Sequence, residues 1–378
     1  MTLPIYRDHK APEKRPPLSN AGLWYERFFN QFDANWKAGD QKTNWLKNNF
    51  KGKAGVKEQL EAHAMKQLKL AESLGGTAKV FITSANFIPG MGNPHPVENG
   101  LSWHPTLGVP YLNGASVKGM VRNWIEVWEK EADTTDQREK VLRWFGSTDK
   151  DQAAKDYSVG TGDLVFFDAV PIKPVSLNVD IMTPHMGKWY EKGGEITSIK
   201  DEPEKIPADW HDPTPVPYLV VQKARFLFTI APRTKNCDID LDSVMHALQK
   251  SLNYTGAGAK TAVGYGQMLP DEKGFARLEE ASAKRQHEDK VSRMSPEKRK
   301  IEALGQMIEQ DKATGNKTPG SATNQKLLDL IRDAKTWSQP EREQLADLGE
   351  EFYNFAGWGN KKKKKTRKAL LAGLCAGA

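Results

Sequence analysis

The chain has 378 residues, with 55 lysines and arginines against 48 aspartates and glutamates and a formal net charge of +7. An apolar fraction of 38% and a mean hydropathy of −0.65 leave enough for a core plus solvated helix or linker, and no stretch approaches the roughly 18 apolar residues of a spanning helix. Cys237 and Cys375 stand far apart without a CxxC or Cys/His cluster, which excludes a disulfide framework and a zinc knuckle.

The polar, proline-rich start MTLPIYRDHKAPEKRPPL lacks a secretory h-region, so the expectation is a cytoplasmic protein with no membrane contact and no cofactor. The basic balance is accompanied by 11 tryptophans and 9 tyrosines, a pairing that suits nucleic acid: cations neutralise phosphates and rings stack on bases.

In chain order, residues 1–20 read as an extended arm. Trp24, Phe28, Phe32 and Trp36 recur every four residues, the stripe of a core-facing helix, and 56–74 forms a second amphipathic helix stopped at Gly75-Gly76. TAKVFITSANFIP is strand-like. A loop rich in Gly, Pro, Asn and His then leads to SVKGMVRNWIEVWEK, where Val121, Trp124, Ile125 and Trp128 mark one helical face. Strand-like segments recur near 161–170 and 218–231, and Leu241, Val244, Met245, Leu248 and Leu252 form another helical stripe before a last strand near 261–269.

The order β, α, β, β, α, β predicts an α+β, ferredoxin-like (RNA-recognition-like) sheet over 77–270. An insertion at 171–217 is too long for a simple hairpin. Residues 1–76 form an N-terminal arm with helices, and 271–378 a helical extension broken by a linker and a turn at Ser338–Pro340. The run KKKKKTRK at 361–368 reads as a solvated basic tail.

The chemistry-bearing stretch is NYTGAGAKTAVGYGQM. A phosphate loop of the nucleotide-hydrolysing kind requires glycine directly before the lysine, and here Ala259 precedes Lys260; a dinucleotide fingerprint would follow a strand and open a helix, whereas this stretch does the reverse. A tight turn alone needs one or two glycines. Gly256, Gly258, Gly264 and Gly266 exceed that, and bare amides beside Lys260, Thr261 and Tyr265 form a candidate anion cradle. Ser116, Lys118 and Arg122, early in the Val121 helix, form a second candidate contact, with the helix N-terminus favouring an anion.

PYLNGASVKGMVR and GAGAKTAVGYG together resemble the paired signatures of the RAMP superfamily, RNA-binding subunits of CRISPR effector complexes. GDLVFFDAVP and LNVDIMTPHMGKWY are similar to the sixth-subunit family of the type III-B (Cmr) effector. The resemblance covers about 77–270. It implies a non-enzymatic capping subunit at the guide 3′ end, in contact with guide and target RNA and with neighbouring backbone, small helical and capping subunits.

The resemblance also casts the insertion as a thumb, with Met182 and His185, flanked by Trp189 and Tyr190, wedging the guide–target duplex. Residues 85–118 contain no aspartate and only Glu98 as a carboxylate, so the target-cleaving aspartate of backbone relatives has no counterpart there. The alternative is a metal-independent endoribonuclease processing CRISPR transcripts, in which His104 or His185 would act with Lys118.

Overall fold

The computed structural model describes the chain apart from residues 1–13, 36–37, 40, 96, 130–134, 148–159, 199, 201–204, 209, 235–238, 319 and 376–378. Most of the N-terminal arm, Trp36 and Cys237 thus lie outside the described residues. The described chain divides into two units, 1–280 and 281–378.

In the first unit the elements run α1 (Ala21–Arg27), α2 (Gln41–Phe50), β1 (Gly52–Ala54), α3 (Lys57–Ser73), β2 (Thr77–Thr83), α4 (Gly114–Trp128) and α5 (Thr135–Phe145). They continue with β3 (Leu164–Phe166), β4 (Val170–Pro171), β5 (Val175–Met182), α6 (Gly187–Lys192), β6 (Val216–Gln222), β7 (Arg225–Pro232), α7 (Leu241–Tyr254) and β8 (Met268–Pro270).

The central sheet has the order β3-β7-β2-β8, with β4 also on β7, and every pairing is antiparallel. Period-two alternation assigns its faces. Phe81, Phe226 and Phe228 point to the side where α4 and α7 bring Val117, Val121, Met245 and Leu248, in one cluster of buried residues. Ala78, Val80 and Leu227 point the other way, onto Ala64 and Leu68 of α3 and onto Leu278. The result is a mixed α+β unit with a central sheet and helical additions, in an order consistent with the ferredoxin-like expectation.

Several expectations shift. The strand expected over 218–231 is two strands: the chain turns at Lys223, whose φ of 50° is left-handed, and the halves serve different sheets. The second sheet, β1-β5-β6, takes β5 from the insertion and β6 mostly from the segment expected as the next strand, with Asn178 opposite Val220 and Met182 opposite Val216. The final strand shrinks to Met268–Pro270, because the glycines before it are spent on a coil containing a short 3-10 turn at Thr261–Val263. The first aromatic stripe is not one helix, since α1 ends at Arg27; Trp24 is buried and Phe28 stacks on it at 4.5 Å. Trp128 is exposed and stacked on Trp124.

The second unit follows α8 (Glu272–Ser292), which begins within the first, and contains α9 (Pro296–Thr314), α10 (Ala322–Asp333), α11 (Gln339–Ala356) and α12 (Lys361–Cys375). Ser295 and Ser321 cap α9 and α10 by accepting from the amides of Lys298 and Asn324, and Ser338 with Glu341 forms a capping box on α11. Ile301, Leu304, Ile308, Leu327, Leu345, Phe352, Leu371 and Leu374 share one core. The run expected as a basic tail is therefore helical: Leu371 and Leu374 anchor α12, and the lysines extend it.

Candidate nucleic-acid interface

Three of the four glycines in the loop answer a packing demand of the chain itself. Gly256, Gly258 and Gly266 have φ of 73°, 81° and 77°. A methyl group on Gly256 would stand 2.5 Å from the Tyr265 carbonyl oxygen, one on Gly258 2.5 Å from that of Ile88, and one on Gly266 would overlap the Ala257 carbonyl. Hydrogen bonds lock this folding-back: the Ala257 amide donates to the Gly266 carbonyl at 3.0 Å, Gly266 to Asn86 at 2.7 Å and Ala259 to Ile88 at 2.8 Å. Gly264, at φ 89°, faces open space.

The turn closes on Lys260, a left-handed non-glycine residue at φ 61° whose carbonyl accepts from the amides of Val263 and Tyr265. Its ammonium lies 5.1 Å from the Tyr218 ring centroid and 5.6 Å from that of Tyr265, within cation–π range. The amides of Gly258, Lys260, Thr261 and Ala262 have no hydrogen-bond acceptor among the described residues, and so remain able to donate to an oxyanion.

A polar network fixes the loop to the second sheet. The Tyr265 hydroxyl donates to Asp180 Oδ2 at 2.6 Å and lies 3.1 Å from the Tyr218 hydroxyl. Asn86 Nδ2 donates to the same carboxylate oxygen at 3.1 Å, and Gln222 Nε2 donates to Asn86 Oδ1 at 2.9 Å. Burial, then the Tyr265 hydrogen bond and the Asp180 charge, push the Tyr218 hydroxyl well above its ordinary pKa. Asp180 begins the DIMTPH stretch, so that motif positions the glycine loop. Asn86, Asp180 and Tyr218 are site residues the sequence reading missed; a strand aspartate flanked by apolar residues was the available signal.

At the start of α4 the cap is Asn113, whose side chain accepts from the Ser116 amide at 2.7 Å. The first amide of the helix, Gly114, donates to Asp168 Oδ1 at 2.7 Å, so the chain supplies its own anion there. Ser116 is exposed in the first turn. Arg122 is 16% exposed, bound to Glu126 at 2.7 Å and to the Gly146 carbonyl at 3.0 Å. Lys118 is half-buried, and burial, then the Arg122 charge, lower its pKa.

A groove of about 570 Å³ brings the two predicted segments together. Ser116, Gly119 and Asn123 of α4 form one wall, and Gly256, Gly258 and Thr261 the other. Asn93, Ser102 and Asn113 add amide and hydroxyl groups, and no side chain lining it carries a formal charge. Lys118, Arg122, Lys260, Gly264, Tyr265 and Gly266 do not line this groove. Ser102, Tyr111 and Asn113 also line a second hollow of about 500 Å³, together with His104 and Trp103. His104 faces His63 at 5.4 Å between ring centroids, and burial pulls both imidazoles below their ordinary pKa. Glu98 is bound to the buried ammonium of Lys42 at 2.7 Å.

The insertion is an arm built on β5 and β6. His185 lies 3.0 Å from the carbonyl of His211 through Nδ1, and the Thr214 amide donates to the Pro184 carbonyl, so His185 staples the two legs of the arm. Met182 is half-buried against the main core, and Trp189 folds onto Gly193. Tyr190 and Trp210 are the large rings left outside, 76% and 71% exposed. Among the described residues no group of three or more His, Cys, Asp or Glu side chains could hold a metal ion, and no helix is long and apolar enough to cross a membrane.

The family described as the RAMP superfamily matches residues 74–268. The CRISPR system Cmr subunit Cmr6 of Pyrococcus furiosus is 29% identical over 248 residues, which is 53% of this chain and 69% of that protein. The CMR subunit Cmr6 of Saccharolobus solfataricus is 27% identical over 172 residues; the match spans 44% of this chain and less than half, 47%, of that relative. Among solved structures, a type III-B Cmr-beta complex bound to cognate target RNA aligns at a TM-score of 0.43 and 20% identity, covering 58% of this chain and 67% of that one. The crystal structure of the Pyrococcus furiosus Cmr6 aligns at 0.31 and 24% identity, covering 52% and 98%.

Proposed function

The chain belongs to the RAMP superfamily, and from that premise we propose that it is a guide-RNA-binding subunit of a type III-B CRISPR effector that caps the guide 3′ end and holds target RNA without cutting it. The observation that carries the reading is the groove in which Ser116 of α4 faces Gly256, Gly258 and Thr261 of the glycine loop. Its neutral amide and hydroxyl lining suits ribose and phosphate oxygens. The open amides of Gly258 and Thr261, which line it, are the donors, and the Lys260 ammonium, held outside the groove over the Tyr218 and Tyr265 rings, adds charge on the same turn. Such contacts hold a backbone in register without reading bases, as a subunit serving many guides requires.

The relatives named Cmr6 support this choice within the superfamily. The arm supplies the thumb, with Tyr190 and Trp210 as its exposed rings, while Met182 packs against the main core and His185 joins the two legs of the arm. Neighbouring backbone, small helical and capping subunits would complete the assembly.

Binding of a labelled guide RNA to the full chain tests the proposal. Lys260→Ala should weaken binding and reduce the log–log salt slope by about 0.7, one single-strand phosphate contact. Unchanged affinity and slope would refute the assignment of the loop. A second reading, transcript processing, draws on the His63–His104 pair beside the groove. Defined cleavage of a labelled CRISPR transcript that disappears in His104→Ala would replace the capping reading.

A further inference from the structure

Lys361–Lys368 contains seven basic residues in eight positions, and the remaining 48 lysines and arginines are matched by 48 aspartates and glutamates. The entire formal net charge of +7 thus equals the charge of the first two turns of α12, and the rest of the chain is balanced. None of the seven cations has a carboxylate partner among the described residues. Arg367 lies over the Tyr353 ring at 4.4 Å and donates to the Gly357 carbonyl, and Lys368 lies 5.5 Å over the Trp358 ring.

Stability does not explain the run. The positive end of a helix dipole is where lysines are least favoured, and like charges one turn apart repel. At 3.6 residues per turn, Lys361, Lys362, Lys365 and Lys368 fall within about 120° of one another, opposite the buried Leu371 and Leu374, along about 10 Å of axis. That face is carried on a helix whose following turns pack through those leucines into the core of the second unit. The same burial consumes the apolar stripe that an amphipathic helix needs to enter a lipid surface.

We propose that this face of α12 is a second, sequence-independent binding site for the phosphate backbone of nucleic acid, separate from the glycine-loop groove and carried by a unit outside the family match. The half-buried Trp358 ring, already under Lys368, adds a surface on which a base can stack.

The test uses the full chain with short labelled single-stranded RNA of mixed sequence, duplex DNA of the same length, and phosphatidylserine vesicles, each over a salt series. Replacing the four lysines together, as Lys361→Gln, Lys362→Gln, Lys365→Gln and Lys368→Gln, keeps helix propensity. The single-strand log–log slope should fall by about 3, four contacts at about 0.7 each, and retention of duplex binding by the parent chain would identify DNA as a further source of the backbone. Lys260→Ala should leave most of that slope in place, which separates this site from the groove. An unchanged slope in the fourfold variant, or a parent chain that binds vesicles but neither nucleic acid, overturns the proposal; circular dichroism verifies that α12 remains helical.

Discussion

Gly266→Ala and Gly264→Ala form a matched pair, because both residues are left-handed, at φ 77° and 89°, but only Gly266 abuts the chain. At Gly264 the substitution incurs the left-handed penalty alone, about 1–2 kcal/mol. At Gly266 the new methyl would overlap the Ala257 carbonyl, adding an overpacking cost of about 1–3 kcal/mol and disturbing the Ala257–Gly266 and Gly266–Asn86 hydrogen bonds. The sum is about 3 kcal/mol, or about a hundredfold in a local opening equilibrium.

Hydrogen exchange of peptides covering 84–90 and 255–268 reads that opening without requiring two-state unfolding of a chain with two units. Exchange of the Ala257 and Ala259 amides should accelerate about a hundredfold in Gly266→Ala and about tenfold in Gly264→Ala. Equal effects in the two variants would refute the reasoning, since they would mean that backbone conformation, not the approach of Ala257, dictates glycine at 266.

Tyr265→Phe removes the hydroxyl that donates to Asp180 and should destabilise the first unit by about 1.5–3 kcal/mol, measured as the same local protection. His63, His95 and His104 have imidazole pKa values lowered first by burial, so the unfolded chain binds more protons below about pH 6.5. Stability of the first unit should therefore fall as pH drops below that value, and His63→Gln should flatten the profile in urea titrations followed by exchange. Leu345→Ala, at a fully buried position, should cost the second unit about 2–5 kcal/mol in protection while peptides of the central sheet keep theirs. The fourfold lysine-to-glutamine variant should make α12 more protected, because it relieves repulsion at the dipole's positive end.

Periodicity was sufficient for the sheet-facing helices: Val244, Met245, Leu248 and Leu252 are buried, and the α3 limits fall within a residue of those expected. Strand continuity was not legible. Val216–Pro232 is apolar nearly throughout, and only the backbone at Lys223 and Ala224 shows that it turns from one sheet to another. For the site, the glycines indicated a close approach but not what approaches; three meet their own chain. Ser116 does reach the groove, whereas Arg122 is engaged by Glu126 and Gly146, contacts that spacing along a helix cannot reveal for a carbonyl 24 residues away. The basic run looked like a tail because its anchor, Leu371 and Leu374, is only two residues in a short sequence.

The bend between β6 and β7 also constrains how the arm can change. Gln222 pairs with Ser176 in one sheet and Arg225 with Ile82 in the other, with two residues between. A residue inserted there must either lengthen this two-residue connection or be absorbed by a one-residue slip of a strand, which would turn that strand's inward side outward because side chains alternate with period two. Changes in the length of this projection are accordingly easiest toward its far end, around 187–213, where none of the described residues belongs to a strand.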